Sequence, residues 1–131
     1  MLDLAGGEVL AQELVAHGRG TGEDVARRFS NHPGSLASSL GSFITGPTYV
    51  GKHGLSLRLR GVDPGVNDRA ESRAIVVHGA EYVSEASVRA LGRLGRSLGC
   101  PALGTAEAPR IIGLIRGGTL LYAYHPSGPR V

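Results

Sequence analysis

Twenty-one of the 131 residues are glycine, and they are spread along the whole chain. That spacing cuts the sequence into short pieces joined by turns, the pattern of a mainly β domain. The clearest strand is 54–60 (GLSLRLR), where Leu55, Leu57 and Leu59 alternate with Ser56, Arg58 and Arg60. A period of two puts the leucines on one face and the polar residues on the other. The run 42–50 (SFITGPTYV) precedes it across Gly51-Lys52-His53. Residues 73–78 (RAIVVH), with β-branched Ile75, Val76 and Val77, read as a buried strand, and 119–124 (TLLYAY) as the last one. Met1-Leu2-Asp3-Leu4 looks like the middle of a strand, and 8–16 (EVLAQELVA), after Gly6-Gly7, reads as a hairpin strand or a short helix.

The remaining pieces are helical or irregular. Residues 23–29 (EDVARRF) fit a brief helical turn, 30–41 a loop and 61–67 (GVDPGVN) a turn-rich connection. A helix is expected over 84–91 behind Ser84 as N-cap, with Gly92 and Gly95 opposing its continuation. A second is expected over 106–116, with Thr105 as N-cap, an apolar face of Ile111, Ile112, Leu114 and Ile115, and Gly117-Gly118 as its stop. The Pro- and Gly-containing tail is expected to fray.

The length fits one domain, 1–131, able to bury a core without staples. With 41% hydrophobic and 19% charged residues the chain is globular in composition. No apolar run approaches the ~20 residues that span a bilayer, and no secretory signal opens the sequence. Either the protein is cytosolic or its export signal lies outside this chain. The formal charge of +3 is almost entirely arginine, Lys52 being the sole lysine. That charge is too mild to indicate nucleic acid, and 5% aromatics with no Trp argue against a base-stacking surface. An arginine-rich surface either binds a carboxylate- or phosphate-rich polymer or merely solubilises.

Cys100 is the one cysteine, so neither an internal disulfide nor a cysteine-based metal cluster is available. It lies in Gly95-Arg96-Ser97-Leu98-Gly99-Cys100-Pro101-Ala102. Gly99 permits a close backbone approach. Were a helical turn to start at Pro101, its dipole would lower the thiol pKa, and the N–H groups of Gly99 and Cys100 would face a developing oxyanion. The alternative is a small buried hydrophobe. His78 ends a buried strand before Gly79 and is the natural base for a thiol; the alternative is a buried neutral histidine satisfying a carbonyl. His53 either lines the same cleft or serves its turn. His17, His32 and His125 lie in loop-like contexts and receive no role. Arg89, Arg93 and Arg96, if helical, would share one face, solvated or aimed at a substrate carboxylate. No H-E-x-x-H pair, G-x-S-x-G elbow or P-loop occurs, so metal catalysis and serine hydrolysis lack support.

Taken together, AHGRG (16–20), FSN (29–31), SSLGSFITG (38–46), TYVGKHGLSLRL (48–59), IVVHGAEYVS (75–84) and GRLGRSLGCPAL (92–103) cover nearly the whole chain. In that order they resemble the murein L,D-transpeptidase catalytic domain family, within the YkuD-like superfamily, in the branch whose cysteine motif reads SxGCPA. The resemblance implies a mainly β fold, sandwich-like, with one or two short helices. It implies attack by Cys100 on the L,D-peptide bond before the terminal D-Ala of a peptidoglycan tetrapeptide stem. His78 would be the general base and acid, and Gly79 would orient it through its carbonyl. A stem amine would resolve the thioester into a crosslink; water would make the enzyme an L,D-carboxypeptidase. A catalytically silent wall-binding module is the alternative from another class.

Ser97, Arg96, Gly99, His53 and Tyr49 would support the cysteine loop or contact substrate. No cofactor or metal is implied, the location is extracytoplasmic (periplasm or cell wall), and carbapenem-type β-lactams would acylate Cys100. Leu98 departs from the pattern, standing where many relatives carry His and this branch often carries an aromatic. Relatives also have an export signal and a strand before the Asp3-Leu4 region.

Overall fold

The computed structural model of the chain describes residues 1–128, so the end of the tail expected to fray lies outside the described residues. Two strands open it, β1 (Leu2–Asp3) and β2 (Glu8–Val9), paired antiparallel as a small hairpin. The rest of 8–16 is neither strand nor helix: past the bonds of Leu10 and Ala11 to Met1 it joins no ladder until Ala16, which bridges Ala102. Residues 23–29 are bends at 23–25 and irregular chain beyond, not a helical turn, because the N–H groups of Arg27 and Arg28 both turn back to the Thr21 carbonyl.

The main sheet is built around a hairpin of β3 (Gly41–Gly51) and β4 (Gly54–Gly61). Gly54, at φ 77°, takes the left-handed conformation that the turn needs. Between Thr45↔Leu59 and Thr48↔Leu57 the register shifts, with Gly46 and Pro47 set against Arg58 alone. Pro47 has no N–H to give the ladder, and a bulge is where a strand tolerates that. Strand β5 (Val76–Ala80) pairs antiparallel with β4, β6 (Ala102–Gly104) parallel with β5, and β7 (Leu120–Ala123) antiparallel with β3. The order is β6-β5-β4-β3-β7.

Helix α1 (Glu85–Leu91) lies in the crossover from β5 to β6. Ser84 caps it, its Oγ accepting from the Ser87 N–H at 3.0 Å, and Gly92 ends it at φ 74°. Arg93 and Arg96 therefore lie beyond the helix and do not share a face with Arg89. Helix α2 (Ala108–Ile115) starts later than expected. Glu107, not Thr105, holds the N-cap position, because Pro109 is accommodated only within the first turn. Ile111 and Ile112 pack with Leu57, Leu59, Val77, Phe43 and Leu103 in the main core, while Leu114, at the margin of the apolar stripe, stays exposed. Full burial of a leucine side chain stabilises by roughly 1.5–3 kcal/mol over exposure, so this row does much to hold α2 on the sheet.

Alternation sends Ser56, Arg58 and His78 to the opposite face from Leu57, Leu59 and Val77. Alongside β6, Ala16 bridges Ala102 and Gly18 bridges Ser97, so the irregular segment around 16–20 borders the sheet at that edge. The expected strand 73–78 begins only at Val76 because Ala74 sits at φ 57°, reversing the chain after a turn in which Ile75 N–H bonds the Ala70 carbonyl.

Candidate active site

Cys100 lies at the entrance to β6, half-buried, and Pro101 leads into a strand, not a helix. The helix dipole expected to lower the thiol pKa is therefore absent from this loop. Burial pushes the Cys100 thiol up from its ordinary value, opposed by the Val76 N–H, Arg73 and Lys52. The Val76 N–H points at Sγ from 3.4 Å, and the Ala74 carbonyl lies 3.7 Å from it.

The loop carrying Cys100 is held from both sides. Ser97, 4% exposed, donates through Oγ to the Cys100 carbonyl and accepts from the Gly99 N–H. The Ser97 N–H bonds the His17 carbonyl at 3.1 Å, and the Arg19 N–H bonds the Ser97 carbonyl at 2.8 Å. Ser38 Oγ donates to the Gly99 carbonyl and accepts from the Gly18 N–H, both at 3.0 Å. Gly99 needs its φ of 124°, and a side chain on Gly18 would begin 2.6 Å from the Gly99 α carbon. The AHGRG segment thus serves as a backbone clamp on the cysteine loop. Of the two N–H groups expected to face an oxyanion, that of Gly99 is taken by Ser97, while that of Cys100 bonds no described residue.

His78 comes from the middle of β5 and is 2% exposed. Its Nδ1 lies 2.9 Å from the carbonyl oxygen of Gly79. A carbonyl only accepts, so Nδ1 carries the proton and Nε2 keeps its lone pair in the neutral ring. Gly79 packs tightly as well: a Cβ there would come within 3.1 Å of the Ala108 methyl group. The register joins the two halves of the site, with His78 beside Ala102, two residues after Cys100 on the parallel neighbour. Cys100 Sγ makes no direct hydrogen bond to His78 among the described residues; it rests against Ala74 and Val76. Catalytic hydrogen bonds of this kind are often long before substrate binds.

His53, in the turn between β3 and β4, stacks on His78 with ring centroids 4.2 Å apart. Burial lowers its pKa, with His78 and Lys52 adding to the effect. Tyr49 pairs with Ser56, which pairs in turn with His78, so the three share one face of the sheet. The Tyr49 ring is covered by the Arg58 guanidinium at 4.3 Å. Arg96 is engaged elsewhere: its N–H groups donate to the carbonyls of Gly22, Leu94 and Gly95, and its Nη2 is buried without a partner. Arg93 faces Glu23 and Asp24 at 3.7 and 3.5 Å. Leu98, beside the thiol loop, is exposed.

Sequence reasoning missed Arg73, whose guanidinium gathers four oxygens of the 30–39 segment, and Ser38, which couples that segment to Gly99. The SSLG stretch offered a signal for Ser38; nothing local marked Arg73. Among the described residues no helix is long and apolar enough to cross a membrane. A family model described as the L,D-transpeptidase catalytic domain matches residues 1–124. No curated protein matches the chain.

Proposed function

The chain belongs to the L,D-transpeptidase catalytic domain family, and from that premise we propose that it transfers acyl groups between peptidoglycan stem peptides through Cys100. The observation that carries this reading is the hydrogen bond from His78 Nδ1 to the Gly79 carbonyl. It fixes the tautomer in which Nε2 is the base, on the strand beside the one that Cys100 enters.

Cys100 Sγ attacks the carbonyl carbon before the terminal D-Ala of a tetrapeptide stem, and the thiol proton passes to His78 Nε2. The unbonded Cys100 N–H is the donor for the oxyanion that develops. The C–N bond then breaks, His78 returns the proton to the departing amine of D-Ala, and a thioester remains. An amine of a neighbouring stem attacks the thioester, loses its proton to His78, and restores the thiol. Water in the amine's place gives hydrolysis on the same residues. Ser97 and Gly99 shape the loop, and His53 and Tyr49 border the His78 face. Arg96, bonded to backbone, is assigned to support of the loop. The work is extracytoplasmic, in periplasm or wall, and a carbapenem is expected to enter the same acyl-enzyme path.

The test is a tetrapeptide stem incubated with the protein, with and without an acceptor amine, followed by mass spectrometry. Loss of D-Ala that disappears in Cys100→Ala, with a crosslinked product only when the amine is present, is the expected result. Loss of D-Ala unchanged in Cys100→Ala would sink the reading, and a hydrolysed product in both arms would redirect it to a carboxypeptidase.

A further inference from the structure

The two non-glycine residues with positive φ among the described residues are Leu36 and Ala74, at 58° and 57°. Such conformations are costly and persist where surrounding contacts over-determine them. Both flank the cysteine loop. The Ala74 carbonyl lies against Cys100 Sγ, and Leu36 precedes Ala37, whose carbonyl would lie 2.9 Å from a Cβ on Gly99. Arg73 joins these two segments. Its Nη1 donates to the Ser30 carbonyl at 2.8 Å and to Ser39 Oγ at 2.9 Å. Its Nη2 donates to Ser35 Oγ at 3.1 Å and to the Ala37 carbonyl at 2.7 Å.

All four partners are neutral oxygens. Among the described residues no carboxylate lies within ion-pair distance of Arg73. A half-buried guanidinium bonded only to neutral acceptors keeps its charge available to a neighbouring group. We propose that Arg73 is a positioning residue for the thiol: it ties the 30–39 strap against the cysteine loop and holds an unpaired positive charge on the side of Cys100 that favours the thiolate. Consistent with this, Arg73 opposes the upward push of burial on the Cys100 thiol. Lysine would keep the charge but lose the fork that engages four oxygens at once.

The inference rests on Cys100 being the reacting group, and its test needs no substrate. The rate of Cys100 alkylation by iodoacetamide is followed against pH for the wild type, Arg73→Gln and Arg73→Lys, with folding checked by circular dichroism. Arg73→Gln is expected to raise the midpoint by about one pH unit, slowing alkylation ~10-fold near neutrality. Arg73→Lys is expected to keep the midpoint closer to the wild type. A Gln profile superimposed on the wild type, or Lys and Gln profiles shifted alike, would overturn the proposal. Should Arg73→Gln fail to fold, Ser35→Ala removes one of the four bonds; a raised midpoint there supports the proposal and an unchanged one overturns it. A shifted profile in a protein that turns over no stem peptide would defeat the transferase reading and leave the role of Arg73 intact.

Discussion

The imidazole of His53 lies face to face with that of His78, the ring planes 14° apart and the centroids 4.2 Å apart. In the proposed mechanism His78 takes a proton from the thiol, and the new imidazolium meets a neutral π face only if His53 is itself unprotonated. Burial and His78 both lower the His53 pKa, which favours its neutral ring and moves its protonation to lower pH. His53→Phe retains the stack and removes the second titration. Its activity is expected to persist further toward acid pH than that of the wild type, measured as kcat/KM against pH. Identical acid limbs would show that His53 protonation does not matter. His53→Ala, which removes the stack, is expected to lose activity several-fold at pH 7, since a face-stacked aromatic partner contributes about 0.5–1.5 kcal/mol.

Gly18 is a close-approach glycine. A Cβ on it would lie 2.4 Å from the Leu36 carbonyl oxygen and 2.6 Å from the Gly99 α carbon. Gly18→Ala must push the strap and the cysteine loop apart. A loss of at least tenfold in kcat is expected, with less change in KM, because the displaced element carries Cys100, the proposed nucleophile. Wild-type kinetics in this variant would remove the clamp from the account.

The elevated Cys100 pKa has a consequence for stability. A thiol held more tightly protonated in the native state contributes stability that is fully present below the unfolded pKa of ~8.5 and lost as pH rises through the folded value. Urea denaturation of the wild type and Cys100→Ala at pH 7 and pH 10 isolates this group. The difference in stability between them is expected to shift against the wild type as pH rises. A pH-independent difference would contradict the direction of the shift.

Asn67 is fully buried and joins its own turn to the start of β3: it donates to the carbonyls of Leu40 and Ser42 and accepts from the Asp63 N–H. Asn67→Ala leaves these groups without their partner, at a cost of about 1–3 kcal/mol for each one that water cannot reach. A drop of ~3 kcal/mol by urea denaturation is expected, with the alkylation profile of Cys100 little changed.

Much of the frame was legible because it rests on local pattern. The alternation of Leu55, Leu57 and Leu59 marks β4, Ser84 and Gly92 mark the ends of α1, and Ile111-Ile112 marks the buried face of α2. What escaped was set by long-range contacts. The carbonyls that receive Arg73 lie 36 and 43 residues away, and the Gly99 carbonyl lies 61 residues from Ser38. The 8–16 run has strand-like composition yet gains only a two-residue pairing and one bridge. Pro101 fits a helix start in isolation, but hydrogen bonding to Ala16 and pairing with β5 draw the following residues into a strand. The His78–Gly79 bond links adjacent residues, so the motif itself carries it.

Acylation of the thiol by a carbapenem, followed by intact-mass spectrometry of the wild type, Cys100→Ala and His78→Ala, tests the central claim most directly. The account predicts a single covalent adduct on the wild type, none on Cys100→Ala, and slower formation on His78→Ala. A folded wild-type protein that forms no adduct, or an adduct that survives Cys100→Ala, would contradict it.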